Sequence, residues 1–369
     1  MSSVVLTEIS KSYVDCQALD NVSLTIEEGE FMTLLGASGS GKTTLLNVVA
    51  GMIAPDTGSV LINGIDMTRM ESRKRGLGMV FQSYALVPHM SVAENIAFPL
   101  KIRRMPADEI QRRITSILQI VQLEHLANRK PKELSGGQQQ RVAIARCLVY
   151  EPPVILMDEP LGALDKKLRD QLQKEIKRIH HETKVTIIYV THDQEEALFL
   201  SDRICLMRAG RIEQLGTPKE LYFNPRNTFV ADFLGESNLL DCRIQSEATA
   251  VLANDQLIRI APDCENPPAT GTRRRLMIRP DRLRFVDTPS TELNMVYGTV
   301  EDMAFIGEVT RYSLRVGKDK VVLKARPTDN SRSVLIGNEV CVGWNPDEAL
   351  LLSADEAAQA ATRGPFQRG

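Results

Sequence analysis

No stretch of this 369-residue chain approaches an unbroken apolar run of the length a membrane-crossing helix needs, about 18 residues. A spanning role is therefore not expected, and any membrane function would run through a partner. The start, MSSVVLTEIS, lacks a basic segment followed by an apolar one, which predicts that no secretion signal is present. The six cysteines, at 16, 147, 205, 242, 264 and 341, form no CxxC pair. Zinc-ribbon and thioredoxin-type chemistry are thereby excluded, and the expectation is buried apolar thiols in a reducing, cytoplasmic setting. Nor is there a surplus of charge of either sign. Lys and Arg number 45 against 47 Asp and Glu, a formal net charge of −2, without the basic footprint of a nucleic-acid binder. The densest basic run, Arg273-Arg274-Arg275, reads as a solvated turn before it reads as a phosphate patch.

What is present is globular. Apolar residues make up 43% of the chain and charged residues 25%, enough for a large core with disorder confined to the ends. The length implies two domains. Up to residue 235, short apolar runs alternate with amphipathic patterns. Residues 31–35, 154–158, 186–191 and 204–207 read as strands, and VILMD at 154–158 is apolar enough to be covered on both faces. Leu168, Leu172, Ile176 and Ile179 mark a helix over 166–182. Ile110, Ile114, Leu118 and Val121 mark another over 108–126. The alternation predicts an α/β domain over 1–235, with a mainly parallel sheet and helices against it. From 236 to 369 the texture changes. Runs at 239–244, 257–260, 276–279, 296–300, 310–316, 320–325 and 339–344 are short and punctuated by Gly, Pro, Asn and Asp, as in a small all-β, OB-like barrel. The tail from 354 is expected to be a short, fraying helix.

Gly36-Ala37-Ser38-Gly39-Ser40-Gly41-Lys42-Thr43, followed by Thr44, sits between the strand FMTLL and the apolar pattern of Leu45, Leu46 and Val49. Strand, Gly-rich loop and helix are the context of a P-loop. Its glycines turn backbone N–H groups toward phosphate oxygens, and the helix N-terminus adds positive potential. Lys42 reaches the β- and γ-phosphates of ATP, and the Thr43 hydroxyl serves Mg²⁺. The strand 154–158 ends in Asp158-Glu159, at the edge where α/β sheets place ligands. Asp158 suits the Mg²⁺ shell, and Glu159 suits polarisation of the attacking water.

Leu134-Ser135-Gly136-Gly137-Gln138 is a second phosphate-type element. Ser135 is an N-cap, and the glycines expose N–H groups at a helix start. At average residue usage the P-loop pattern arises by chance in about one chain of this length in a hundred, and LSGGQ in fewer than about one in a thousand. Two phosphate grips in one chain make sense if the second closes on ATP held by another copy.

These motifs resemble the ABC ATPase family across the first 235 residues. The resemblance implies further roles. Tyr13 matches the aromatic that stacks on adenine. Gln82 matches the residue linking Mg²⁺ and water to the transmembrane partner. Asp165 matches the loop crossing the dimer interface, and His192 the switch that senses the γ-phosphate. The chain departs from the common family pattern at Ala37 and Gly162; neither position carries a group that touches phosphate. A single cassette, with no inserted coiled coil or zinc module, resembles bacterial importer subunits. Those work as a homodimer beneath two transmembrane permeases fed by a solute-binding protein, at the cytoplasmic face of the membrane. The segment Ser83–Val92 reads as a groove for a partner helix. Gly235-Glu236-Ser237-Asn238, Ile278-Arg279-Pro280-Asp281 and Trp344-Asn345-Pro346-Asp347 resemble the regulatory domain of sugar, polyamine and ferric-iron importers. The spermidine/putrescine branch is the nearest. The competing reading is a soluble ABC ATPase acting on nucleic acid; the second domain shows no interleaved basic and aromatic surface for it, and no nucleic-acid partner is expected.

Overall fold

The computed structural model describes residues 3–353, apart from 15, 82, 163, 262–268, 289 and 327–333. The tail helix expected beyond 354 lies outside the described residues. The chain forms two compact units, Met1–Glu220 and Leu221–Gly369.

The first unit opens with β1 (Val4–Tyr13), β2 (Cys16–Ile26) and β3 (Phe31–Leu35). Helix α1 (Lys42–Ala50), strands β4 (Thr57–Ile62), β5 (Ile65–Asp66) and β6 (Gly78–Val80), and helices α2 (Val92–Ile102), α3 (Ala107–Ile120) and α4 (Gly136–Leu148) follow. Then come β7 (Val154–Asp158), α5 (Lys166–Thr183), β8 (Thr186–Thr191), α6 (Gln194–Leu200), β9 (Arg203–Arg208) and β10 (Arg211–Gly216). One sheet has the order β10-β9-β3-β8-β7-β6, parallel except for the β9–β10 hairpin. A second, antiparallel sheet has the order β2-β1-β4-β5; no strand pattern in 4–26 stands out from the sequence alone.

The near-continuous apolarity of the central strands has a simple cause: both faces are covered. Phe31, Ile155, Met157, Ile187 and Tyr189 join one core with α2–α5. Their alternates Met32, Leu34, Val154, Leu156, Ile188 and Val190 join another with α1 and the antiparallel sheet. Helix α5 matches its expected span to within a residue. Helix α3 stops at Ile120, six residues short of the predicted 126. Gln122 takes a left-handed φ of 56°, and the N–H of Leu123 turns back to the Leu118 carbonyl at 2.9 Å. That is a helix stop built on backbone geometry, and the 3.6-residue period carried by Val121 does not reveal it.

The second unit is led by α7 (Pro218–Phe223), which spans the division, and α8 (Thr228–Phe233). Strands β11 (Asn238–Ser246), β12 (Thr249–Leu252), β13 (Leu257–Arg259), β14 (Arg273–Ile278) and β15 (Arg284–Phe285) follow. The rest are β16 (Asn294–Phe305), β17 (Thr310–Val316), β18 (Asp319–Ala325), β19 (Glu339–Trp344) and β20 (Ala349–Ser353). Two five-stranded antiparallel sheets, β13-β12-β11-β14-β20 and β15-β19-β16-β17-β18, close over one core around Trp344. The small all-β, OB-like architecture is the one expected, and the strands at 249–252 and 349–353 are added to it. Asn238 ties the two sheets: its amide donates to the Val322 carbonyl at 2.8 Å and accepts the Val322 N–H at 2.6 Å.

The compact units divide fifteen residues ahead of the 235/236 boundary read from composition. Arg279, 3% exposed, is the reason. Its guanidinium donates to the carbonyls of Tyr222, Ala231 and Gly235 at 2.8 Å each and to Ser237 Oγ at 2.6 Å. Ala231 packs with Met277 and Leu352. One arginine thus folds the 222–237 segment onto the β-sheet unit, and it brings the Gly235–Asn238 and Ile278–Asp281 landmarks together.

Candidate nucleotide site

The parallel sheet sets three loops side by side. β8 lies between β3 and β7, and in register Leu35 pairs with Thr191 and Asp158 with Val190. The loops leaving β3, β7 and β8 at their C-terminal ends carry 36–43, Asp158-Glu159 and His192. This is the edge where open α/β sheets bind ligands.

Two glycines of the first loop, Gly36 and Gly41, are needed sterically. A Cβ on Gly36 would stand 2.4 Å from the Met207 carbonyl oxygen, and one on Gly41 2.5 Å from that of Ala18. Gly41, with φ 101°, is the N-cap of α1, which has no side-chain cap and no acidic residue in its first turn. The first amides of α1, from Lys42, Thr43 and Thr44, are left for an outside acceptor. Ala37, Ser38 and Gly39 are exposed, while Ser40 is buried. Lys42 Nζ lies within the loop, donating to the carbonyls of Gly36 at 2.8 Å and Ala37 at 2.9 Å. Burial pulls its pKa down, against the opposing charges of Glu159 and Asp158.

Thr43 Oγ1 donates to Asp158 Oδ1 at 3.4 Å. Burial, reinforced by the charge of Glu159, holds the Asp158 carboxyl above its ordinary range, while Thr43 and Lys42 pull the other way. A hydroxyl beside a carboxylate at the mouth of a phosphate loop is a hard-oxygen pair of the kind Mg²⁺ takes. Glu159 has a left-handed φ of 43° and is fixed by its N–H to the Val190 carbonyl at 3.0 Å. Such a non-glycine conformation is strained and persists where the surroundings enforce it. It aims Oε1 at His192, whose Nδ1–H donates across 3.1 Å.

Ser135 caps α4 in a reciprocal box: its Oγ accepts the Gln138 N–H at 3.3 Å, and the Gln138 side chain accepts the Ser135 N–H at 2.9 Å. Gly137 has a second reason to be glycine, since a Cβ there would press to 3.1 Å on Leu168 and Leu172 of α5. Among the described residues no hydrogen bond joins 135–138 to 36–43. Asp165 caps α5, accepting the Leu168 N–H at 3.0 Å. Tyr13 ends β1, 48% exposed, with Lys11 Nζ 5.9 Å from its ring centroid. Gln82 lies outside the described residues.

The structure adds residues that sequence reasoning did not find. Arg169 donates to Asp193 at 2.9 Å and to the Leu164 carbonyl at 3.1 Å, joining Leu164 to the His192 loop. Behind that loop, buried Glu196 accepts from Tyr189 Oη at 2.7 Å and Thr191 Oγ1 at 2.8 Å. Arg146 of α4 donates to the carbonyls of Tyr84 and Ala85, both in left-handed conformation. Asn95, fully buried, bonds the backbone of Val87, Met90 and Ser91. The segment read as a partner groove is thus pinned from two helices.

With this geometry in view, comparison with known proteins is direct. The ABC transporter family model matches residues 19–162 and the TOBE domain model residues 276–352. A spermidine/putrescine import ATP-binding protein of Thermobifida fusca is 43% identical over 364 residues, covering 95% of this chain and 93% of that protein. The protein of the same name from Aliivibrio fischeri is 44% identical, covering 96% of each. The chain belongs to the ABC transporter ATP-binding family. Among solved structures, the cassette MJ0796, dimeric and bound to ADP and Pi in a post-hydrolysis state, is 38% identical with a TM-score of 0.51 over 58% of this chain and 98% of its own. The protein cbiO1 of Clostridium perfringens, part of the ABC transporter complex cbiONQ, is 32% identical with a TM-score of 0.56, over 59% and 89%. Among the described residues no helix is long and apolar enough to cross a membrane.

Proposed function

We propose that this chain is the ATP-hydrolysing subunit of an importer for spermidine/putrescine-type polyamines. It would work as a homodimer on the cytoplasmic face of the membrane, beneath two permeases supplied by a solute-binding protein. The observation that carries the ATPase reading is the convergence of Lys42, Thr43, Asp158, Glu159 and His192 at three adjacent strand ends, with 3.4 Å and 3.1 Å contacts between their side chains. The relatives above, similar over nearly their whole length, support polyamine import over sugar or ferric-iron import and over action on nucleic acid.

In this reading the amides of 36–44 and Lys42 hold the phosphates, and Tyr13 stacks on adenine. Thr43, Asp158 and Gln82 would hold Mg²⁺, which neutralises phosphate charge when bound. Glu159 accepts a proton from water as its oxygen bonds to the γ-phosphorus. The bond from that phosphorus to the β–γ bridging oxygen breaks, its electron pair leaving with ADP. His192 positions Glu159 and senses the γ-phosphate. Ser135, Gly136, Gly137 and Gln138, with Asp165, serve the ATP held by the partner copy. The head-to-tail arrangement is supported by the dimeric cassette relatives and by the absence, among described residues, of a bond between the two phosphate-type elements of one chain.

Glu159→Gln tests the chemistry. It keeps size and hydrogen bonding but loses the base, so turnover should fall on the order of 10²–10⁴-fold while ATP affinity persists and ATP-bound dimers accumulate on a sizing column. Near-normal turnover would sink the assignment of Glu159. For the solute, labelled putrescine and spermidine are offered to cells with the native permeases. Strong uptake of a sugar or ferric iron without polyamine uptake would rule the polyamine reading out.

A further inference from the structure

The arginine run 273–275 does not form the solvated turn that its sequence suggested. It lies in β14, one strand in from the sheet edge and paired with the central β11. In register, Arg273 stands directly opposite Arg243, and Arg275 opposite Asp241. Arg275 is neutralised there, its Nε 3.2 Å from Asp241 Oδ1. Among the described residues, Arg243, Arg273 and Arg274 have no carboxylate within ion-pair distance. Like charges directly opposite on adjacent strands destabilise a sheet, and the fold accepts one such pair, both side chains exposed, at the end of the β11–β14 ladder. The same residues line a concavity of about 630 Å³ with Asp241, Val251, Leu252 and Asp255, wholly within the second unit.

We infer that this concavity is a binding site for a small polyanion carrying two or more phosphate groups. Guanidinium forks match phosphate oxygens two at a time, and Arg243 and Arg273, directly opposite on one face of two adjacent strands, present two uncompensated forks to one ligand. Asp241 and Arg275, paired with each other, line it as well. A monovalent anion would use only part of the set, so the site should prefer a diphosphate. This goes beyond the catalytic reading: none of these residues belongs to the phosphate machinery of the first unit, and the inference gives the second unit a ligand chemistry of its own.

The test uses inorganic pyrophosphate, titrated calorimetrically into the full chain and into its Lys42, arginine and combined variants. The P-loop and the arginine concavity should each take one pyrophosphate, so the wild-type chain should show two per chain. Lys42→Ala should leave one, and Arg243→Thr with Arg273→Thr should leave one. The combined variant should leave none. Each single arginine substitution should weaken the second-unit site by about tenfold or more, since charged hydrogen bonds are the strong ones. Removing the opposed charges should leave the melting temperature of the ligand-free chain unchanged or raised, which a purely structural role for the arginines would not do. A wild-type stoichiometry of one that vanishes with Lys42→Ala overturns the inference. So does binding that the arginine variants leave intact, or a second-unit binding heat that sodium chloride matched in ionic strength to sodium pyrophosphate reproduces.

Discussion

Replacing Arg169 by Met should destabilise the first unit in a manner that depends on pH, with a sign fixed by Glu196. Arg169 makes two kinds of contact. Its bond to Asp193 is between half-buried partners, and its loss should cost about 0.5–1 kcal/mol. Its Nε lies 3.8 Å from Glu196 Oε1, where the carboxylate is only 3% exposed. Stripping the cation from a buried pair costs about 3–5 kcal/mol. Here the contact is long, and Tyr189 and Thr191 still donate to the carboxylate, so roughly a third of that, about 1–1.5 kcal/mol, is the reasonable share. Burial, first, and the neighbouring Asp193 charge raise the Glu196 pKa above 4.5, while Tyr189, Thr191 and Arg169 oppose them. An acid whose folded pKa lies above its unfolded value gives up stability as pH rises from the unfolded value through the folded one. Without Arg169 the folded value climbs further and the loss deepens. The variant's deficit should therefore be smaller near pH 5 than near pH 8, where it should reach about 2 kcal/mol, roughly 4–8 °C in melting temperature for a unit of this size. Melts of wild type, Arg169→Met, Glu196→Gln and the double variant at both pH values give the answer. In the Glu196→Gln background the pH-dependent part should vanish and the Asp193 part remain. A deficit equal at pH 5 and 8, or one undiminished in that background, would refute the reasoning.

Other outcomes follow from the same geometry. Cysteines placed at Ser38 and Ser135 should crosslink between chains when ATP is present, as monitored on non-reducing gels; purely intrachain products would contradict the head-to-tail dimer. In the native chain Cys147 and Cys205, whose thiols burial pushes up to about 11 and about 12, should resist a thiol reagent while exposed Cys16 reacts at once, read by mass spectrometry; fast labelling of Cys205 would show the core to be wrongly drawn. A fragment ending at Leu234 should bind ATP yet aggregate, because its 222–234 segment has lost Arg279 and the Ala231 packing surface, whereas one ending at Glu220 should stay soluble and bind ATP; an equally soluble pair on sizing columns would remove Arg279 from its organising role.

The residues legible in the sequence are those whose chemistry is stated by neighbours in the chain. Gly36, Gly41, Lys42 and Thr43 form one loop, and its context is fixed by the strand before it and the helix after it. Asp158 and Glu159 end an apolar run whose character announces burial on both faces. Ser135 declares itself by the glycines after it and by Gln138 three residues on, and the structure finds that box closed. In each case the informative spacing is under ten residues, within reach of turn, cap and strand rules.

Residues that hold the site in shape act across longer separations or through conformation. Arg146 reaches carbonyls 61 and 62 residues upstream, and Arg279 reaches ones 44 to 57 residues away. A lone arginine in an amphipathic helix or strand carries no local mark of its partner. Glu159 adds a second kind of hidden information: its side chain is aimed by a left-handed φ, and nothing in the letters MDEP specifies that. Arg273 shows the converse failure. Composition placed it in a solvated turn; the charge is exposed but sits in a strand, and the charge opposite it, on Arg243, is thirty residues away in sequence and visible only once β11 and β14 are in register. A local rule can weigh a charge only against its chain neighbours; the sheet sets it against Arg243, and that long-range pairing is what the inferred anion site rests on.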